Sequence, residues 1–236
     1  MRPLVIVPTY NERENLGPLV AALMAMAGLR LLVVDDQSPD GTADEADALA
    51  ASHRGRISVI RRTGPRGFGR SYVEGMAAAL QTDATHICQM DADLSHDPAA
   101  LPELLAAAAS ADLVIGSRYV PGGRLSNWPA HRVLLSAFAN RYVRAITRLP
   151  IRDCTSGFRV WSRDLLRRLP LERIVSDGYA FQVETAWEAH RARGRIVEVP
   201  ITFVERREGR SKMSSRVIVE SVLLPWRLIA RPRVER

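Results

Sequence analysis

The sequence has little of several residue types and patterns, and each shortage narrows the class of protein. Its only cysteines are Cys88 and Cys154, whose spacing fits neither a metal site nor a disulfide framework. We therefore expect a reducing cytosol. No apolar run approaches the roughly 20 residues of a membrane-spanning helix. The opening segment, with Pro3 and Pro8, is broken too early for a signal peptide. We expect a chain that does not cross a membrane.

Aromatic residues and lysine are also scarce. Aromatics make up 6% of the chain, and no recognition helix or RNA-binding signature is present, so we expect no nucleic-acid partner despite the net charge of +7. Lys212 is the only lysine beside 32 arginines. It lies in a stretch rich in glycine and serine, where a compact and mobile charge suits a phosphate that binds and leaves.

The remaining composition is typical of one globular domain, but its charge is divided unevenly. The hydrophobic fraction is 47% and the charged fraction 25%. Residues 1–117 hold 9 arginines and 15 acidic residues, a net charge of −6. Residues 118–236 hold 24 basic and 11 acidic residues, a net charge of +13. This asymmetry favours a metal site on one side and an anionic partner, such as a phosphorylated lipid or a membrane surface, on the other.

The first half alternates short apolar runs with helical patterns, which is typical of βαβ units and a mainly parallel sheet. Asn11 and Glu14 have the spacing of a capping box, in which the first helix would begin. We predict strands over 4–10, 31–36, 57–60, 86–90 and 112–118, and helices over 12–27, 43–53, 67–81 and 97–109.

After Arg118 the pattern changes. We predict an amphipathic helix over 129–148, a short strand over 157–161, a helix over 177–193, and a strand over 195–205 that Pro200 would keep at a sheet edge. The last helix, 215–231, is apolar with arginines at both ends. It either packs on the core or lies in a membrane interface with its arginines on anionic headgroups.

The stretch that organises the chain is a buried strand followed by Asp91-Ala92-Asp93. Residues i and i+2 of extended backbone point to the same side, so Asp91 and Asp93 can converge on one cation. The carboxyl ends of strands in open α/β sheets are where ligands bind. Two carboxylates without histidine or cysteine suit Mg²⁺ or Mn²⁺, which also needs phosphate oxygens. We therefore infer a metal-bound diphosphate.

Further motifs stand at the ends of the other strands. They are Pro8-Thr9-Tyr10-Asn11-Glu12, Val34-Asp35-Asp36, Gly116-Ser117-Arg118-Tyr119, the Trp128 and Arg132 pair, Asp153 to Arg159, and Arg206 before Gly209-Arg210-Ser211-Lys212. In combination they resemble the family 2 glycosyltransferases with the GT-A fold, and more narrowly the polyprenyl-phosphate (dolichyl-phosphate) mannose synthases. The resemblance covers residues 4–214 and implies a glycosyltransferase domain there, followed by the amphipathic segment 215–236.

The resemblance implies GDP-mannose as donor and a polyprenyl phosphate lipid as acceptor, at the cytoplasmic face of a membrane. The protein would be peripheral there, held by its last segment, by a separate anchor protein or by the lipid itself. By motif position, Asp91, Asp93 and Ser95 would hold the metal, although relatives with glutamine at the position of Ser95 use that glutamine. Pro8, Tyr10, Glu12, Val34, Asp36, Asp91, Ala92, Asp93, Arg206 and Lys212 would hold the donor. Arg118 and Arg132 would face the acceptor phosphate, and Asp91, Asp93, Arg118, Arg206 and Lys212 would act in catalysis.

The chemistry of such a transfer agrees with the charge pattern. A phosphate monoester, with a second pKa of about 6, is already a nucleophilic anion at pH 7, so no general base is assigned. Its obstacle is repulsion by the donor diphosphate, which arginines remove. Three alternatives stay open: the same fold using UDP-glucose or another nucleotide sugar, a catalytically silent regulatory subunit, and a nucleic-acid binder.

Overall fold

The structure, a computed structural model, describes residues 1–204 and 215–231, and from 215 to 221 only the backbone. Seven of its strands form one sheet. They are β1 (Pro3–Thr9), β2 (Arg30–Asp35), β3 (Ile57–Arg61), β4 (His86–Gln89), β5 (Leu113–Ser117), β7 (Arg159–Ser162) and β8 (Ile196–Pro200). Two short strands, β6 (Arg124–Ser126) and β9 (Thr202–Val204), form a separate parallel pair.

The large sheet has the order β3-β2-β1-β4-β7-β5-β8. Its neighbours pair in parallel, except that β7 runs antiparallel between β4 and β5. The predicted mainly parallel sheet is confirmed. The predicted strand over 195–205 is two strands: β8 ends at Pro200 on the outer edge of the large sheet, which confirms the edge position, whereas β9 pairs with β6 in the second sheet.

Helices cover both faces of this sheet. They are α1 (Arg13–Met24), α2 (Thr42–Ser52), α3 (Phe68–Ala79), α4 (Leu101–Ala107), α5 (Ala130–Thr147), α6 (Arg163–Arg168), α7 (Gly178–Arg191) and α8 (Ser215–Ala230), with single 3₁₀ turns at Pro98–Ala100 and Leu171–Arg173. None of the helices in the described part of the chain is long and apolar enough to span a membrane.

The start of α1 differs from the prediction. The predicted capping box of Asn11 and Glu14 is wrong. The residue before the helix is Glu12, and its side chain makes no capping hydrogen bond. Asn11 instead has a positive φ of 58°, a conformation that asparagine tolerates better than most residues. Glu12 accepts a hydrogen bond from the side chain of Asn15 (2.8 Å). The chain therefore turns sharply between β1 and α1, at the edge where the motif residues gather.

The core lies in two layers because the sheet is buried on both faces. Leu4 and Ile6 of β1 belong to the cluster beneath α3 and α7, while Val5 and Val7 belong to the cluster beneath α1 and α4. This explains the continuous apolar run of β1, since a strand covered on both sides needs no polar alternation. Gly75 lets α3 pack closely on β1, because an added Cβ would lie 2.7 Å from the side chain of Ile6.

The last helix packs on the core through one face and exposes the other. Leu224 and Leu228 are buried in the cluster beneath α7. At the end of α8 the guanidinium of Arg231 pairs with the buried carboxylate of Glu184 (2.6 Å) and with Glu188 (3.3 Å) on α7. Packing on the core is therefore confirmed for α8, and its opposite face remains available to another surface.

Candidate active site

The two carboxylates of the Asp-x-Asp motif follow the end of β4, at the carboxyl edge of the sheet. Oδ1 of Asp91 accepts a hydrogen bond from the hydroxyl of Tyr72 (3.3 Å). Oδ1 of Asp93 accepts hydrogen bonds from the main-chain N–H (3.1 Å) and the hydroxyl (2.5 Å) of Ser95. The hydroxyls of Tyr72 and Ser95 thus help to orient the two carboxylates.

Tyr72 remains a hydrogen-bond donor at all working pH values. Burial raises the pKa of its phenol well above the ordinary value, and the charge of Asp91 adds to that effect. The ring stacks on Phe181 with centroids 5.6 Å apart, which fixes the direction of the hydroxyl. Tyr72 is a site residue that the sequence reasoning missed, because nothing in its helical context marks its hydroxyl as support for a carboxylate at the end of the following strand.

His96 closes the turn behind the two carboxylates. Its Nδ1 accepts the main-chain N–H of Asp91 (3.1 Å). Burial lowers the pKa of the imidazole, although the neighbouring carboxylates oppose that shift. The ring is stacked on Phe158 and edge-on to Phe203. His96 is therefore a neutral structural residue that holds the backbone of Asp91.

The donor set fits a hard divalent cation. The described residues contain no group of three or more histidine, cysteine, aspartate and glutamate side chains that could hold a metal. Two carboxylates would leave most coordination positions to water and phosphate, which is the usual arrangement for Mg²⁺. The hydroxyl of Ser95 is buried and donates to Asp93, so the structure places Ser95 behind Asp93 as its support.

The residues assigned to the nucleoside lie at the adjacent ends of β1 and β2. Pro8 is the register partner of Val34, and the main-chain N–H of Asp36 bonds the carbonyl of Thr9 (2.9 Å). Pro8, Tyr10 and Glu12 are partly exposed. The side chains of Val34 and of Ala92, in the Asp-x-Asp motif, are buried in the core. At this edge of the sheet, these two residues therefore present only main-chain atoms.

Two arginines that the sequence reasoning did not single out lie beside these strand ends. Arg62 is buried and its guanidinium pairs with Asp36 and with Glu74, while Oδ2 of Asp36 accepts the N–H of Gly67 (2.8 Å). The guanidinium of Arg66 lies 3.5 Å from the centroid of the Tyr10 ring. The Gly64-Pro65-Arg66-Gly67 turn was the available signal, since it joins β3 to α3 beside β2.

A buried ion pair lies against Phe203, the ring that also packs on His96. Arg118 binds Asp153 in a bidentate arrangement, with Nε to Oδ2 and Nη2 to Oδ1 both 2.7 Å, and Nη2 also donates to Thr155 (2.7 Å). Burial alone would raise the pKa of Asp153, but the Arg118 charge and its hydrogen bonds hold that pKa below its ordinary value. Asp153 therefore orients Arg118.

Aromatic rings surround this pair and bring Arg132 towards it. The guanidinium of Arg132 lies 4.2 Å from the centroid of the Trp128 ring. The Arg118 guanidinium lies 5.9 Å from the same ring and 5.4 Å from the ring of Phe203. Stacking on an aromatic face holds a guanidinium plane in one orientation. Both predicted acceptor-side arginines therefore stand on one aromatic platform; Arg206 and Lys212 lie outside the described residues.

Comparison with known proteins identifies this arrangement. The family model described as "Glycosyl transferase family 2" matches residues 4–169. A protein of Mycolicibacterium smegmatis named polyprenol monophosphomannose synthase is 45% identical over 100% of this chain and 89% of its own length. An undecaprenyl-phosphate mannosyltransferase of Micrococcus luteus is 46% identical over 98% of this chain and 96% of its own length.

Among solved structures, glucosyl-3-phosphoglycerate synthase from Mycobacterium tuberculosis, in complex with Mn²⁺, UDP and phosphoglyceric acid, superposes with a TM-score of 0.73. The match is 18% identical and covers 98% of this chain and 79% of that one. At this identity the likeness shows a shared fold, the GT-A architecture predicted above. With the family match and the two full-length relatives, it leads to one conclusion: this chain belongs to glycosyltransferase family 2.

Proposed function

We propose that this enzyme transfers mannose from GDP-mannose to a polyprenyl phosphate, with inversion at the sugar. The observation that carries the proposal is the joining of two motif groups at one sheet edge. His96 accepts the main-chain N–H of Asp91 (3.1 Å), and its ring packs edge-on against Phe203, whose ring lies 5.4 Å from the Arg118 guanidinium. The names of the two relatives that are 45% and 46% identical support mannose as the sugar and a polyprenyl phosphate as the acceptor.

The carboxylate side would receive the donor. Asp91 and Asp93 would hold Mg²⁺ or Mn²⁺, with Ser95 supporting Asp93, and the bound ion would neutralise charge on the donor diphosphate. Pro8, Tyr10 and Glu12, with the Arg62–Asp36 pair behind them, would hold the nucleoside. Arg206 and Lys212 would contact the diphosphate. These roles rest on the family resemblance and on the strand-edge geometry.

The arginine side would receive the acceptor. A phosphate oxygen of the lipid attacks the anomeric carbon, the bond from that carbon to the diphosphate breaks, and its electron pair leaves with the nucleoside diphosphate. Arg118 and Arg132 would bind the attacking phosphate and lower its repulsion by the leaving group. No proton has to be removed from the nucleophile, so no side chain is assigned as a general base.

The lipid requires a surface from which it can reach this site. We define the α5–α8 apolar surface as the exposed side chains that flank the hydrogen bond from Tyr142 on α5 to the carbonyl of Val222 (2.8 Å). We propose that it rests on the cytoplasmic face of a membrane as a peripheral contact; a separate anchor protein would be the alternative. Its members are Leu134, Leu135, Phe138, Val222, Leu223, Trp226 and Ile229.

The test is transfer of labelled sugar to a polyprenyl phosphate in detergent. GDP-mannose and UDP-glucose would each be supplied with Mg²⁺, with Mn²⁺ and with EDTA. We expect metal-dependent labelling of the lipid from GDP-mannose alone. Labelling from UDP-glucose would contradict GDP-mannose as the donor and would leave the proposed site residues unchanged. No labelling from either, with nucleotide binding retained, would point to a silent subunit; steep salt-dependent DNA binding without nucleotide binding would favour a nucleic-acid binder.

A further inference from the structure

The short strand β9 joins two parts of the site. On one side it contacts the turn of the Asp-x-Asp motif, where the main-chain N–H of Val204 donates to the carbonyl of Ser95 (3.2 Å). In the same turn, His96 forms an isolated antiparallel bridge with Phe203. On its other side β9 pairs in parallel with β6. The backbone therefore places Phe203 between the turn of the Asp-x-Asp motif and the segment that leads from β6 to Trp128.

The ring of Phe203 contacts side chains from three different segments. It lies edge-on to the ring of His96, with centroids 5.4 Å apart and planes at 75°, and edge-on to the ring of Trp128, at 5.6 Å and 88°. The guanidinium of Arg118, which follows β5, lies 5.4 Å from the same centroid. Because contacts between aromatic rings have preferred distances and angles, one phenyl ring fixes these three groups relative to one another.

Each of these three groups holds something that the proposed transfer needs. His96 holds the backbone of Asp91, whose N–H donates to its Nδ1 (3.1 Å). Trp128 carries the guanidinium of Arg132 on its ring, 4.2 Å from the centroid, and Arg118 is itself a proposed ligand of the acceptor phosphate. The phenyl ring therefore lies between a candidate metal ligand and both acceptor-side arginines.

Phe203 cannot take part in the chemistry directly, because its side chain has no polar atom. It is half-buried and belongs to neither core cluster of the described residues. What its ring can control is the distance between the two sides of the site. The attacking phosphate and the donor diphosphate repel each other, so their alignment depends on the groups that hold them, and a misplacement of about 1 Å can cost about 10²-fold in rate.

We propose that Phe203 is a positioning residue, which fixes Arg118 and Arg132 relative to the turn of the Asp-x-Asp motif. Through these residues it aligns the attacking phosphate with the leaving diphosphate. The inference rests on the proposed function, since it requires an acceptor that carries a phosphate and a donor diphosphate at the Asp-x-Asp motif.

The experiment compares two replacements of Phe203 in steady-state transfer to a polyprenyl phosphate. Phe203→Leu keeps an apolar side chain and removes the flat ring, whereas Phe203→Tyr keeps the ring. We expect Phe203→Leu to lower kcat/KM for the lipid about tenfold to a hundredfold, and Phe203→Tyr to restore it. The affinity for GDP with Mn²⁺, measured by calorimetry, should stay unchanged in both, because His96 remains stacked on Phe158. A residue that only stabilised the fold would not separate the two readouts in this way.

The matched control is Val204→Ala, at the next residue of β9. It shortens a side chain that is likewise half-buried and keeps the main-chain N–H that bonds Ser95, so kcat/KM and nucleotide affinity should both stay unchanged. Thermal melting would show that all variants fold. Wild-type kinetics in folded Phe203→Leu would overturn the inference, as would an equal loss in Val204→Ala or in Phe203→Tyr.

These outcomes can be told apart from a failure of the proposed function. If the wild type transfers sugar from UDP-glucose instead, the same variants are measured with that donor and with UDP, and only the proposed donor fails. If the wild type labels a polyprenol as readily as the polyprenyl phosphate, the proposed acceptor fails, and the alignment of two phosphates by Phe203 fails with it.

Discussion

The acidic and basic parts of the sheet edge use aspartate in different ways. On the acidic side, Asp91 and Asp93 are oriented by hydroxyl and amide donors, from Tyr72 and Ser95. On the basic side, Asp153 is fully buried and receives two guanidinium hydrogen bonds from Arg118. A bidentate arginine cancels most of the charge of a carboxylate, whereas a hydroxyl or amide donor orients a carboxylate without changing its charge. We therefore expect Asp91 and Asp93 to serve ligand binding and Asp153 to serve architecture.

The largest effect on activity should come from removing a carboxylate of the Asp-x-Asp motif. Asp93→Asn should lower the rate of transfer at least about 10³-fold, because charge stabilisation of the leaving diphosphate is lost. Its melting temperature should change little. Asp97→Asn, an exposed aspartate in the same turn that caps only the N–H of Ala99, is the matched control and should retain activity. Rapid turnover by Asp93→Asn would remove the metal assignment.

Breaking the ion pair of Arg118 and Asp153 should instead lower the stability of the fold. Asp153→Asn should lower the free energy of unfolding by about 3–5 kcal/mol, because Arg118 stays buried without its counter-charge. Chemical denaturation measures this directly, and replacing both partners, as Arg118→Met with Asp153→Leu, should restore part of the loss. If Asp153→Asn is as stable as the wild type, the ion pair does not hold this part of the fold.

The same pair predicts a pH dependence. The pKa of Asp153 is held below its ordinary value by Arg118, so the folded state binds that proton less readily than the unfolded state. The stabilisation is fully present above the unfolded pKa of about 3.9 and is lost as the pH falls through the lower folded pKa. Denaturation between about pH 5 and pH 2 should show a smaller pH slope in Asp153→Asn than in the wild type; equal slopes would contradict the pairing.

A smaller change should follow from loosening one carboxylate of the acidic side. Ser95→Ala removes the hydroxyl that holds Asp93 and should weaken Mn²⁺ binding about tenfold, as changes of residues behind metal ligands do. Titration of Mn²⁺ in the presence of GDP measures it. A loss as large as that of Asp93→Asn would make Ser95 a direct ligand, as the sequence first indicated.

The smallest expected effect concerns the α5–α8 apolar surface. Trp226, 55% exposed, and Leu228, fully buried, lie two residues apart on α8. Trp226→Ser should reduce co-sedimentation with anionic liposomes about threefold to tenfold and leave stability almost unchanged. Leu228→Ala should do the reverse, costing about 2–5 kcal/mol of stability. Unaltered liposome binding by Trp226→Ser would argue for attachment through a partner.

The local patterns predicted most strands and helices, because strands buried on both faces have continuous apolar runs. The place of β7 could not be read from them, since Arg159–Ser162 enters the sheet antiparallel between two strands that precede it in the chain. The position of the Asp-x-Asp motif at the carboxyl edge of the sheet could be predicted from strand geometry alone. The Arg118–Asp153 pair and the contact of the Tyr72 hydroxyl with Asp91 depend on side chains that meet only after folding.

The central claim is that the basic side of this edge binds the phosphate of a lipid acceptor. The most direct measurement supplies the enzyme with labelled GDP-mannose and a divalent ion, and offers a polyprenyl phosphate and the corresponding polyprenol in equal amounts. The account predicts that label enters the phosphorylated lipid alone and that Arg132→Ala lowers this labelling. Equal labelling of the alcohol, or labelling that is indifferent to the phosphate, would contradict it.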